Sequence, residues 1–166
     1  MFNSGYVNLY RSGKLHERSE KARKVLQECQ ICPRRCKVNR LENRLGICKV
    51  GKRPKVSGYN PHFGEESPLV GVHGSGTIFI TSCNLGCVFC QNHDITHCGE
   101  RYEISIERFA HMMIELQNMG CHNINFVTPT HVVPQILEAL PMAIRDGLNI
   151  PLVYNTGGYD CVETLQ

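Results

Sequence analysis

No apolar run in this chain approaches the roughly 18–20 residues that a membrane span requires. The opening text, MFNSGYVNLYRSGKLHERSEK, has no apolar core and no small-residue cleavage site. A secretory signal is therefore not expected, and the cytoplasm is the expected compartment. Acidic residues are scarce in the first third. Residues 1–56 carry 15 Lys or Arg against 4 Asp or Glu, whereas residues 57–166 carry 3 against 11. No recognised nucleic-acid motif interleaves with that positive charge, so nucleic acid ranks low among partners. Three other readings stand beside it. The basic part can dock on the acidic part of the same molecule, form a patch for an acidic electron donor such as a flavodoxin, or be a solvated helix face.

What remains reads as globular, with 42% hydrophobic and 20% charged residues over 166 positions. Ten cysteines in a reducing compartment point away from disulfides and toward metal or cluster binding. Seven of them fall into two tight groups, and Cys98, Cys121 and Cys161 are scattered, as packing or surface thiols would be.

Residues 12–28 read as a helix with Ser12 as its cap. Residues 29–51 are a loop punctuated by Cys, Pro and Gly. Residues 57–76, SGYNPHFGEESPLVGVHGSG, are turn-rich. The expected division is therefore an extension over residues 1–75 and a core over residues 76–166. Within the core, TIFIT (77–81) is a strand and the helix SIERFAHMMIELQNMG is capped by Ser105 and ended by Gly120. Met112, Met113 and Met119 are expected to pack in the core. NINFVT (123–128) is a strand, PQILEALPMAIRDG (134–147) a helix kinked or split at Pro141, and IPLVYNT (150–156) a third strand. Alternating strands and helices predict an α/β fold with a parallel sheet. Ligands of such sheets sit at the carboxyl ends of the strands, where the second cysteine group, TPTH (128–131) and NTGGY (155–159) all fall.

The second group, CNLGCVFC, holds Cys83, Cys87 and Cys90. Zinc is one reading, with His93 or His97 as fourth ligand. A [4Fe–4S] cluster is another: three cysteines leave one iron open to a chelating cofactor. The first group, Cys29, Cys32, Cys36 and Cys48, supplies four ligands and so a closed site, for zinc or for a second cluster. Arg34, Arg35 and Lys37 would ease the charge of its thiolates.

CNLGCVFC resembles the CxxxCxΦC signature of the radical SAM superfamily, in which Φ is aromatic, and it directly follows a strand. The resemblance implies Cys83, Cys87 and Cys90 as ligands of [4Fe–4S], and Phe89 near the adenine of S-adenosylmethionine (SAM). Reductive cleavage of SAM to a 5′-deoxyadenosyl radical, which abstracts hydrogen from a substrate, is the activity so implied. HFGEESPLVGVHGSGTIFITSCNLGCVFCQN, NINFVTPTHVVPQILEAL and IPLVYNTGGYD further resemble the branch related to pyruvate formate-lyase activating enzymes. This implies a partial parallel (β/α) barrel represented by its first three βα units, preceded by an N-terminal helix and a cysteine-rich metal-binding extension. It also implies a glycyl-radical enzyme, or another hydrogen donor, as substrate. Where well-characterised activases carry a GGE-type motif on the SAM amino group, this chain reads Thr128, Pro129, Thr130 and His131. Thr128 and Thr130 are thus candidate contacts, and His131 is either a contact or a packed rim histidine. Asn155 and Thr156 offer polar contacts, and Gly157 and Gly158 allow close backbone approach or a tight turn. The alternative to an enzyme is a truncated, non-catalytic iron–sulfur or zinc-binding module.

Overall fold

The computed structural model describes residues 4–98 and 102–166, without the side chains of His97 and Cys98. A five-stranded sheet runs in the order β3-β1-β2-β4-β5. Its strands are β1 (Lys55–His62), β2 (Ser75–Ile80), β3 (Tyr102–Glu103), β4 (Ile124–Val127) and β5 (Leu152–Asn155). β2, β4 and β5 are parallel, with Ile78 beside Phe126 and Phe126 beside Tyr154. Helices α4 (Ile106–Asn118) and α5 (Val133–Arg145) make the two crossovers that parallel pairing demands. The sheet is open, with β3 and β5 at its edges. This is a mixed α/β arrangement with an open, partly parallel sheet, consistent with a partial barrel.

The alternation of the strands explains the core. Ile78 and Ile80 of β2 and Ile124 and Phe126 of β4 pack with Phe109, Met113, Leu116, Ile136, Leu140 and Leu148. A side chain at Gly76 would sit 2.7 Å from the Asn123 carbonyl and 3.1 Å from Cβ of Leu116. Glycine there lets α4 lie close on the strand. Ser105 caps α4 by accepting the Arg108 N–H, and Gly120 and Gly147 follow α4 and α5 at φ +88° and +104°, as expected of helix ends. Met112 and Met113 are buried as expected, but Met119, just past α4, is 54% exposed. Cys121 and Cys161 are buried, and Cys98 lies outside the described side chains.

The structure departs from the sequence-based reading at three elements. The first helix is two: α1 (Gly5–Arg11) and α2 (Lys14–Val25). Ser12 closes α1 instead of capping α2, and Gly13 precedes α2 at φ +77°. Helix α5 is not split at Pro141, and Ala139, Leu140 and Ala143 around it are all buried in the core. Of the residues read as turn-rich over 57–76, 57–62 lie in strand β1, antiparallel to β2 with Tyr59 opposite Ile78. Among the described residues β3 covers only Lys55 and Val56, and Pro61 is paired on one side alone, with Gly76 of β2, where proline is tolerated. Tyr59 donates its hydroxyl to Glu115, and Arg108 donates to both, so β1 is also tied to α4. The expected division between residues 75 and 76 falls inside β2, after its first residue.

No described helix is long and apolar enough to cross a membrane. Two ion pairs, Arg23–Glu138 at 2.6 Å and Arg35–Glu163 at 4.0 Å, join the basic extension to the acidic core. Leu116, wholly buried between α4 and β2, tests the core. Leu116→Ala should lower unfolding free energy by about 2–5 kcal/mol, measured as a lower urea midpoint with an unchanged slope.

Candidate functional site

The loop that starts at Thr81 leaves the carboxyl end of the central strand. Its first residues are constrained. Ser82 is held at φ +61°, and at the end of β4 Thr128 is held at φ +51°. A β-branched residue in that region is strained by roughly 1–3 kcal/mol, and such strain concentrates at functional rims. The Thr81 and Ser82 hydroxyls are buried and have no hydrogen-bond partner among the described residues. Just beyond them, Cys83, Cys87 and Cys90 are half-buried free thiols. Cys83 Sγ accepts the Leu85 N–H at 3.3 Å, and Cys90 Sγ lies 3.6 Å from the Thr96 hydroxyl. Val88 and Phe89 project outward, 96% and 87% exposed.

The loops after the strands do converge. Asn84, buried, donates to the Tyr159 carbonyl at 3.1 Å, and Gly157 approaches Leu85 closely enough that a Cβ there would lie 3.4 Å from its Cδ2. Thr128 donates its N–H to the Asn155 carbonyl at 2.8 Å. Asp160 collects the rest: Thr130 donates to it at 2.5 Å, Tyr154 at 2.8 Å, and Thr156 donates as well. Burial pushes the Asp160 carboxyl up, but these hydrogen bonds outweigh it and hold the group below the usual carboxylate range. Burial raises the Tyr154 hydroxyl, which keeps it a donor.

Thr128 and Asn155 are half-buried at the rim, and Thr156, Gly157 and Gly158 are exposed there. The other two candidates on the β4 side point inward. Thr130 is 3% exposed with its hydroxyl given to Asp160. His131 is wholly buried, with Nε2 3.2 Å from the Thr81 carbonyl. His93 is exposed beside Asp94, and His97 lies outside the described side chains.

Two residues, Asp160 and Asn125, and the role of Arg34 at this loop escaped the sequence reading. Arg34 of the extension donates to the Asn84 and Leu85 carbonyls, both at 2.9 Å, and its guanidinium lies 5.5 Å from the centre of the Tyr159 ring. Asp160 organises the rim, and Asn125 sits buried with Nδ2 donating to Glu65 at 3.0 Å and Oδ1 without a described partner. For Asn125 a signal existed: Asn123 and Asn125 alternate with Ile124 and Phe126, so polar side chains line one face of β4. For Arg34 no local signal exists, since its partners are about 50 residues away.

In the first group Cys29, Cys32 and Cys48 are buried and Cys36 is half-buried. Burial raises the Cys32 and Cys48 thiols, and Arg40 offsets part of this at Cys48. Among the described residues, no three His, Cys, Asp or Glu side chains are gathered on one metal position.

The donor chemistry of the β2 loop suits an iron–sulfur cluster. Three soft thiol donors lie on one short loop, and the unpartnered Thr81 and Ser82 hydroxyls at its base can donate to sulfur. The site so described is a thiol-bearing rim of an α/β protein. Residues 77–166 match the sequence model of the Radical SAM superfamily, and the chain belongs to that superfamily, whose members are generally enzymes. A curated relative, an uncharacterized protein of Methanocaldococcus jannaschii, is 36% identical over 155 residues, covering 89% of this chain. The chain spans 44% of that relative's length. No solved structure matches.

Two outcomes check this geometry. His131 has a folded pKa of about 4 against an ordinary 6.5, caused first by burial. The unfolded chain therefore takes up the proton first as pH falls. The stability from keeping His131 neutral is complete above 6.5 and is lost between 6.5 and about 4, a change of ~3 kcal/mol. Urea midpoints across that window should fall for the native chain and show a flatter slope in His131→Gln. Separately, Arg34→Ala should speed amide exchange across the Cys83–Cys90 loop by about tenfold, the worth of one charged hydrogen bond, and leave α5 protected.

Proposed function

We propose that this chain is a radical SAM iron–sulfur protein in which Cys83, Cys87 and Cys90 hold a [4Fe–4S] cluster and the rim of β4 and β5 receives SAM. The observation that carries the reading is the set of three half-buried thiols on the loop leaving β2, within the region matched to the superfamily. When bound, the cluster and SAM supply a one-electron cleavage of the sulfonium carbon–sulfur bond, giving a radical that abstracts hydrogen. The protein's part is orientation. Phe89 offers an open aromatic face for the adenine. Thr128, Asn155 and Thr156 offer hydroxyl, amide and carbonyl groups to the polar end of SAM, and the exposed backbone at Gly157 and Gly158 admits a ligand closely. Thr130 and His131 are assigned to holding the rim, through Asp160 and the Thr81 carbonyl, instead of touching the cofactor. The hydrogen donor in the activase reading is a glycine of a glycyl-radical enzyme, supported by the resemblance of the motifs alone. The exposed basic residues of α2 suit an acidic electron donor such as a flavodoxin.

A second reading, a metal-binding module without radical chemistry, is favoured by the exposure of Val88 and Phe89. A radical site must exclude water. Anaerobic reconstitution with iron and sulfide, followed by SAM and a strong reductant, separates the two. The enzyme reading expects a cluster spectrum that responds to SAM and yields 5′-deoxyadenosine. Replacing Cys83, Cys87 or Cys90 by Ala should abolish both, and a SAM-responsive cluster that survives these replacements rules out the ligand assignment.

A further inference from the structure

The extension has little core of its own. Leu26, Cys29 and Ile31 are its buried cluster, with Val25, Val38 and Leu41 against them. Leu15, Cys48 and Val50 tie the extension to the main core, but the stretch between Cys29 and Cys48 has few apolar contacts to hold its shape. Its turns fold the segment that carries the first cysteine group back on itself. Cys29 donates its N–H to the Val38 carbonyl, and Lys37 returns an N–H to the Cys29 carbonyl, both at 3.0 Å. Arg35, Lys37 and Lys49, each directly beside a cysteine in the chain, take positive φ of 41°, 54° and 55°. Among the described residues no three of these thiols are gathered on one point, but Cys29 is paired through its backbone with the segment that carries Cys36. Gly46 leaves room for the Cys36 thiol, since a Cβ there would lie 2.8 Å from its Sγ.

The second observation is Arg40. A 3-10 turn over Arg40–Glu42, opened by the Asn39 side chain accepting the Leu41 N–H, turns Arg40 inward until it is 0% exposed. Its guanidinium donates to the Gly51 carbonyl at 3.2 and 3.1 Å and to the His131 carbonyl at 2.9 Å, and lies 3.8 Å from Cys29 Sγ. No carboxylate pairs with it among the described residues. Arginine keeps its charge under all ordinary conditions, and a buried ion without a counter-charge costs several kcal/mol. Carbonyl dipoles solvate this cation but cannot neutralise it. The group beside it that can carry negative charge is the Cys29 sulfur.

We propose that Cys29, Cys32, Cys36 and Cys48 bind one Zn²⁺ as a closed tetrathiolate site, with Arg40 as its buried counter-cation. Four protein thiolates fill the coordination of zinc and leave no position for substrate, so the site is structural. The thiol protons leave to solvent as the metal enters. A divalent ion among four thiolates keeps net negative charge, which is what the Arg40 guanidinium lacks. Metal entry draws neighbouring side chains onto one point. The site then steadies the segment from which Arg34 reaches the Asn84 and Leu85 carbonyls.

The test uses the full chain with Cys83→Ala, Cys87→Ala and Cys90→Ala, so that failure of the cluster assignment cannot be confused with failure of this one. Titrated without air, this chain should take up one Co²⁺ with the visible bands of a tetrahedral cobalt thiolate, displaced by one Zn²⁺. Cys29→Ser and Cys48→Ser should remove the bands. Arg40→Gln should weaken zinc binding about 10- to 100-fold, as loss of a group supporting metal ligands does, and Arg40→Lys should restore most of it, with circular dichroism confirming that each variant is folded. The proposal is overturned by a folded chain that takes up no stoichiometric Co²⁺. It is equally overturned by uptake indifferent to the Cys29 and Cys48 replacements, by iron with labile sulfide instead of zinc in protein isolated without air, or by unchanged affinity in Arg40→Gln.

Discussion

Strand β2 is hydrogen bonded on both sides, antiparallel to β1 and parallel to β4, and its carboxyl end is where the cysteine loop begins. Pairing on both sides satisfies the backbone of a strand whose Ile78 and Ile80 are buried in the core. A slip of one residue would turn those side chains to the opposite face and carry Cys83 away from the rim. The placement of the loop therefore rests on register, which the core of α4, α5 and β4 enforces.

From that anchor the rim is assembled by polar contacts between distant segments. Asn84 reaches Tyr159, Arg34 reaches back to Asn84 and Leu85, and Asp160 gathers Thr130, Tyr154 and Thr156. The extension is thus part of the rim, joined to the core by Arg40 on His131 and by Gln135 on Gly51 as well. A loop that presents three thiols gains from such support, because side chains on an otherwise exposed loop lose precision without it.

The crossover helices and the parallel strands were legible because their periodicities are local and their caps are standard: Ser105 before α4, Gly120 and Gly147 at the helix ends. Strand β1 was not legible, since Gly58, Asn60 and Pro61 speak for turns and only pairing with Ile78 and its neighbours makes them a strand. The candidate cysteines were plain from spacing. The roles of Thr130 and His131 were not, because a motif at the end of a strand does not reveal whether a hydroxyl faces out or is held by an aspartate 30 residues away. Met119 misled for a similar reason: helical spacing places a residue on a face, but the helix had ended before it.

By itself the sequence determined the order of elements in the core, the two groups of thiols and the charge imbalance between the two parts of the chain, all of which depend on neighbours within a few residues. The tertiary structure decided which polar groups at the rim stay open, that Arg34 braces the cysteine loop, and that Arg40 is buried beside Cys29. These depend on burial and on contacts between residues far apart in the chain. Hydrogen bonds and charges become decisive only where water is excluded, and only the packed fold decides where that is.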